Sequence, residues 1–186
     1  MIEKRSCQDE IPLLGVTVGD FWSWAYSDIL NNANRAVFAE FVVGTALGVT
    51  SSPRIQWDAV DLHYEGKKIE VKLKSAAYIQ GWKQEGELSR ISFDVAERVA
   101  AWDSTTDTYG SKFKRFADCY VFCVYAEKAD RRPMLLLDME RWEFYVVSTE
   151  KIDRQLGSQK TAALSTIQTL AESVGYEQIK SRIDLI

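Results

Sequence analysis

The stretch Trp57 to Lys74, WDAVDLHYEGKKIEVKLK, decides how the chain is read. Two short alternating segments flank Glu65-Gly66, and glycine can take the positive φ that a two-residue hairpin loop needs. With that pair as the loop, residue 64 faces 67, 62 faces 69, and Asp61 faces Glu70. Alternation of period two then assigns Asp61, His63, Lys68, Glu70, Lys72 and Lys74 to one face, and Val60, Leu62, Ile69, Val71 and Leu73 to the other. The first face is ionic and the second apolar. Asp58, three residues before Asp61, falls on the apolar side, so Asp61 is the acid the register selects.

Two carboxylates whose Cβ atoms stand about 5 Å apart across a strand pair repel as anions. A proton, a cationic neighbour or a divalent metal relieves the repulsion, and Lys72 is one candidate cation. Carboxylate, water and phosphate oxygens form the donor set of Mg²⁺, and a lysine beside them would position a water or meet developing negative charge. Asp61, eight intervening residues and then Glu70-Val71-Lys72 resembles the D…ExK signature of the PD-(D/E)XK nuclease superfamily; Val60 stands where a proline is usual. The resemblance implies a restriction-endonuclease-like α/β fold, with a mixed central β-sheet flanked by helices. It implies a divalent-metal-dependent nuclease hydrolysing phosphodiester bonds, in DNA for most members. In that reading Asp61, Glu70 and the backbone carbonyl of Val71 bind Mg²⁺ or Mn²⁺, and Lys72 orients or activates the attacking water.

Upstream, Ile29, Leu30, Ala33, Val37, Phe41 and Gly44 follow helical spacing and predict a helix from Asp28 to Leu47, with Ser27 or Asp28 as cap and Gly48 as stop. Glu40 lies on its apolar face, where a carboxylate needs a partner: a cation, a metal-bound water, or Arg35. In the superfamily a glutamate of the first core helix often joins the metal site, and Glu40 resembles it in type and in chain order. Downstream, Tyr78 and Gln80 look like the Tyr and Gln that some members place beside the ExK strand, here in reversed order. The resemblance assigns substrate contacts to Gln80, Tyr78 and Lys74. Packing for Tyr78 and a backbone hydrogen bond for Gln80 are the alternatives.

The chain's 186 residues, 46% of them hydrophobic, fit one globular domain spanning 1–186. Its nuclease-like core covers about 28–126, with an N-terminal arm and C-terminal strand and helix additions. The arm, with Phe21, Trp22, Trp24 and Tyr26, reads as packing over the core in preference to a partner surface. An apolar strand is expected at 117–125, a second at Trp142 to Ser148, a polar loop at 103–115 and a helix at 162–173. Cys7, Cys119 and Cys123 show no CxxC spacing, so a reducing cytoplasm is the expected location, with the latter two cysteines buried.

A net charge of −4 does not advertise nucleic-acid binding. Two local groups, Lys67, Lys68, Lys72, Lys74, Lys83 and Arg90, then Lys112, Lys114 and Arg115, would follow a phosphate backbone or simply be solvated. The start MIEKRSCQDE lacks a signal-peptide pattern, and the longest apolar stretch, Ala36 to Val49, is too short for a bilayer and holds Glu40. A nucleic acid, DNA foremost, is therefore the expected partner, with no membrane and a homodimer left open. The alternatives are a non-catalytic nucleic-acid-binding or assembly protein that retains the nuclease fold, and a structural domain in which Asp61, Glu70 and Lys72 form an ion network.

Overall fold

A computed structural model of the chain describes residues 2–73, 76–82, 84–98, 102–103, 107–109, 113–129 and 135–186. In chain order its elements are β1 (Glu10–Ile11), β2 (Val16–Thr17), α1 (Val18–Tyr26), α2 (Asn32–Leu47), β3 (Leu62–Tyr64), β4 (Lys67–Lys72), β5 (Ser92–Asp94), β6 (Trp102–Asp103), β7 (Thr108–Tyr109) and β8 (Cys119–Tyr125). They continue with β9 (Trp142–Ser148), α3 (Thr149–Leu156), β10 (Thr161–Ala163), α4 (Leu164–Leu170) and α5 (Ile179–Asp184).

β8, CYVFCVY, is buried at every position. Such a run suits an inner strand covered on both faces, and β8 holds that place in a four-stranded sheet of order β3-β4-β8-β9. β3 runs antiparallel to β4, β4 parallel to β8, and β8 antiparallel to β9, so the sheet is mixed and the architecture is α/β. Alternation sends Tyr120 and Phe122 to one face, where Phe93 of β5 meets the Phe122 ring at 4.9 Å and β10 pairs with β5. The opposite face carries Tyr125 and Trp142, with ring centroids 5.5 Å apart, and Phe38 of α2 packs on Trp142. α5 contacts both α2 and β9 and extends that cover.

Cys119 and Cys123 are buried, and burial pushes the Cys119 thiol up to about 12, which suits inert packing. The β9 bounds match the expected strand, and Ser148 caps α3 directly after it by accepting from the Lys151 N–H at 3.3 Å.

Several expectations are corrected. α2 starts at Asn32, not Asp28, because Asn31 is the residue whose side chain accepts the Ala33 N–H, at 2.9 Å. Its stop is the expected Gly48, at φ 72°. The stripe read for this helix is not its buried one: Val37 and Phe41 are exposed, while Arg35, Ala39, Val42, Val43 and Leu47 are buried. The N-terminal arm contains a helix, α1, with no buried residue. The polar loop carries the β6 and β7 pairing among its described residues. The expected 162–173 helix divides into β10 and the shorter α4. Between β4 and β8 the described residues form short strands and no α-helix. No helix among the described residues is long and apolar enough to cross a membrane.

Candidate functional site

The β3–β4 hairpin has the expected register, Leu62↔Ile69, His63↔Lys68 and Tyr64↔Lys67. Its loop residues both have positive φ, 48° for Glu65 and 80° for Gly66, as a twisted two-residue turn requires. The pairing ends one residue short of the expected Asp61–Glu70 match, and β4 runs on to Lys72. Asp61 donates its N–H to Ile69 O at 3.1 Å, and its carboxylate accepts the Val71 N–H at 2.7 Å. A side chain thus replaces the missing strand where β4 outruns β3.

Three acids converge on that open edge. Asp61 is pushed up to about 7, first by burial, then by the negative charges of Glu70 and Glu40; the Val71 N–H and Lys72 oppose the rise. Glu70 and Lys72, two residues apart on one strand face, form an ion pair and are both nearly buried. The Lys72 ammonium also lies 5.8 Å from the Tyr120 ring centroid. Glu40, 8% exposed on α2, is held by Arg54, whose Nε donates to Oε2 and Nη2 to Oε1, the latter at 2.8 Å. That pairing holds Arg54 more firmly protonated, and Asp61 and Tyr26 lie close enough to add to the effect. Asp61 has no ion pair of its own among the described residues.

Arg35 is not the partner of Glu40. It is fully buried, donates to Leu30 O at 3.1 Å, to Asn32 Oδ1 and to Gln80 Oε1 at 3.1 Å, and burial lowers it to about 10. Gln80 is correspondingly buried: its carbonyl receives Arg35 and its amide donates to Ala77 O at 2.7 Å. The backbone-bonded alternative describes it, and its amide is directed inward. Tyr78 is half-buried beneath Lys128, whose ammonium lies 4.9 Å from the ring centroid. Lys74 lies outside the described residues, as do Lys83 and Lys112.

His63 is not simply solvated, since Nε2 stands 3.0 Å from Oδ2 of the buried Asp58. Arg115 departs from the expected basic group. It is buried and donates to Val95 O at 2.7 Å, Gly157 O at 2.8 Å and Asp153, so it ties the sheet to the C-terminal segment. Asp118 accepts the Lys68 N–H at 2.7 Å and closes the β4–β8 ladder.

Arg54 is the residue sequence reasoning missed. It follows α2 in the segment Ser51-Ser52-Pro53-Arg54, and only the tertiary fold returns it to Glu40. Among the described residues no three His, Cys, Asp or Glu side chains already form a metal cage; Lys72 and Arg54 engage two of the acids. The donor set, all carboxylate oxygen, fits a hard divalent cation in chemical type. Val71 aims its N–H at Asp61, and a strand residue's carbonyl leaves on the same edge as its N–H. A cavity of about 410 Å³ lies elsewhere, between Lys151, Gln168, Leu170 and Arg182. Comparison with protein-family models, curated proteins and solved structures gives no match.

Proposed function

We propose that the chain is a divalent-metal-dependent phosphodiester hydrolase with a restriction-endonuclease-like core, acting on DNA. The observation that carries the reading is the meeting of Asp61, Glu70 and Glu40, from three separate segments, beside Lys72 at the open edge of β4. Burial and repulsion at Asp61 create the electrostatic deficit a cation would relieve. Asp61, Glu70 and the Val71 carbonyl would hold Mg²⁺ or Mn²⁺, with Glu40 completing the set once it exchanges Arg54 for the metal side. Bound there, the metal supplies Lewis-acid stabilisation of charge on phosphate oxygens. Lys72, turned from Glu70, holds the attacking water by hydrogen bonding, and the Val71 N–H keeps the Asp61 carboxylate in place.

A second reading has its own support. Lys72–Glu70 and Arg54–Glu40 already neutralise two acids, as a purely structural ion network would. A cleavage panel of circular, linear, branched and single-stranded DNA and of RNA, with Mg²⁺ or Mn²⁺, separates the two. DNA cleavage reduced about 100-fold or more by Asp61→Ala and by Lys72→Ala in folded protein is the expected result. Absence of cleavage throughout, with no Asp61-dependent heat of Mn²⁺ binding, selects the ion network. DNA affinity without cutting selects the binding module.

A further inference from the structure

The N-terminal helix poses a separate question, because nothing in the chain covers it. An isolated helix of fewer than about 12 residues is marginal in water, and α1 has nine, none buried. Thr17 and Asp20 form a capping box at its start, with the Asp20 N–H donating to Thr17 Oγ1 at 3.2 Å. At its end, Asn34 of α2 donates its side-chain amide to Ala25 O at 3.3 Å and Asp28 O at 3.1 Å. α1 is tied on at its ends and left bare between them. Its large side chains, Phe21, Trp22, Trp24 and Tyr26, are all aromatic and exposed, Trp24 at 85%.

The bare surface continues onto α2. Asn34, Val37 and Phe41 are spaced i, i+3, i+7 and share one helix face, so Val37 and Phe41 are exposed on the face to which α1 is tied. These six apolar residues expose on the order of 700 Å². A typical monomer's largest apolar patch is about 300–600 Å², and a stable dimer buries about 800 Å² on each partner. The patch with its polar rim reaches the latter size.

We propose that this face is where two copies of the chain associate, α1 and the outer face of α2 of one against the same elements of the other. Charge argues against a nucleic acid as occupant. No Lys or Arg occurs from Ser6 to Asn34, while Asp9, Glu10, Asp20 and Asp28 do, and a polyanion needs cations to meet it. A two-fold pairing brings apolar centre to apolar centre and acidic rim to acidic rim. Salt therefore strengthens this association by screening the rims, whereas it weakens binding to DNA or to a basic partner.

Sedimentation velocity of the full chain up to about 100 μM, at about 50 mM and about 500 mM salt, tests the proposal. The expected result is a dimer that tightens with salt, with Trp24→Ser raising the dissociation constant about 30-fold or more and leaving far-UV circular dichroism unchanged. Phe41→Ser on α2 gives the same readout without touching α1, and Leu185→Ser, exposed near the C-terminus, leaves the dimer intact. A monomer under all conditions overturns the proposal, as does a dimer that salt loosens or that neither Trp24→Ser nor Phe41→Ser weakens. Salt-sensitive binding of a single-stranded oligonucleotide, lost in Trp24→Ser, also overturns it and assigns the face to nucleic acid.

Discussion

At the scale of single residues, Asp61 is the group whose charge the fold tolerates least. Its carboxyl stands near 7 against an ordinary 3.8, raised by burial and by Glu70 and Glu40. A group raised in the folded state contributes its full share of stability below its unfolded value and loses it as pH climbs through the folded one. Stability referable to Asp61 therefore falls between about pH 4 and pH 7. Asp61→Asn, which keeps an oxygen for the Val71 N–H, is expected to match the parent near pH 4 and to exceed it at pH 8 by up to about 4 kcal/mol. Urea unfolding at the two pH values measures this; a parent whose stability does not fall relative to Asp61→Asn removes the carboxylate tension. Arg54→Ala strands a nearly buried Glu40 and should cost about 1–3 kcal/mol. Adding Glu40→Gln to it removes the stranded charge and recovers most of the loss, which a double-mutant cycle reads out. Asp61, Glu70 and Lys72 were legible because alternation and one glycine turn set their face. Glu40's partner was not: Arg35 lies five residues away, about 140° around the helix, whereas Arg54 reaches Glu40 through a loop whose path no spacing rule encodes.

At the scale of elements, the hairpin turn states in its backbone what its sequence only half declares. Gly66 takes its positive φ without cost, but Glu65 also sits at φ 48°, where an L-residue other than Asn or Asp pays about 1–2 kcal/mol. Glu65→Asn should raise stability by about 0.5–1 kcal/mol at unchanged register, checked by the denaturant midpoint. A fall in the midpoint would mean that Glu65 makes a favourable contact the turn depends on. Elements read from composition fared best where the pattern was strongest: the buried run of β8 and the aromatic, β-branched β9 both stand close to their expected bounds. α1 was missed although Thr17-x-x-Asp20 is a capping signal in plain view. Its aromatics form no single stripe, because the helix has no core to face. In α2 the apolar residues Ile29 and Leu30 extended the periodic reading backwards past Asn31, the residue able to cap.

At the scale of the whole molecule, pairing order is what sequence withholds most. That β4 lies parallel to β8 depends on a long crossover, and neither strand's residues distinguish a parallel neighbour from an antiparallel one. The cover over the sheet was equally hidden, since α5 has only six residues, too few for periodicity to show. Yet α5 lies against both α2, which carries Glu40, and β9, and Ile179 and Ile183 are its fully buried contacts. Ile183→Ala should cost about 2–5 kcal/mol, because a side chain in a close-packed interior leaves a cavity when truncated. Loss of that support should also loosen α2 against the sheet, so amide exchange in α2 is expected to accelerate more than exchange in β8, which is held on both sides by other strands. A loss of stability under about 1 kcal/mol, with α2 exchange unchanged, would show that α5 is a surface appendage and that α2 holds Glu40 in place by its own contacts with β3 and β4.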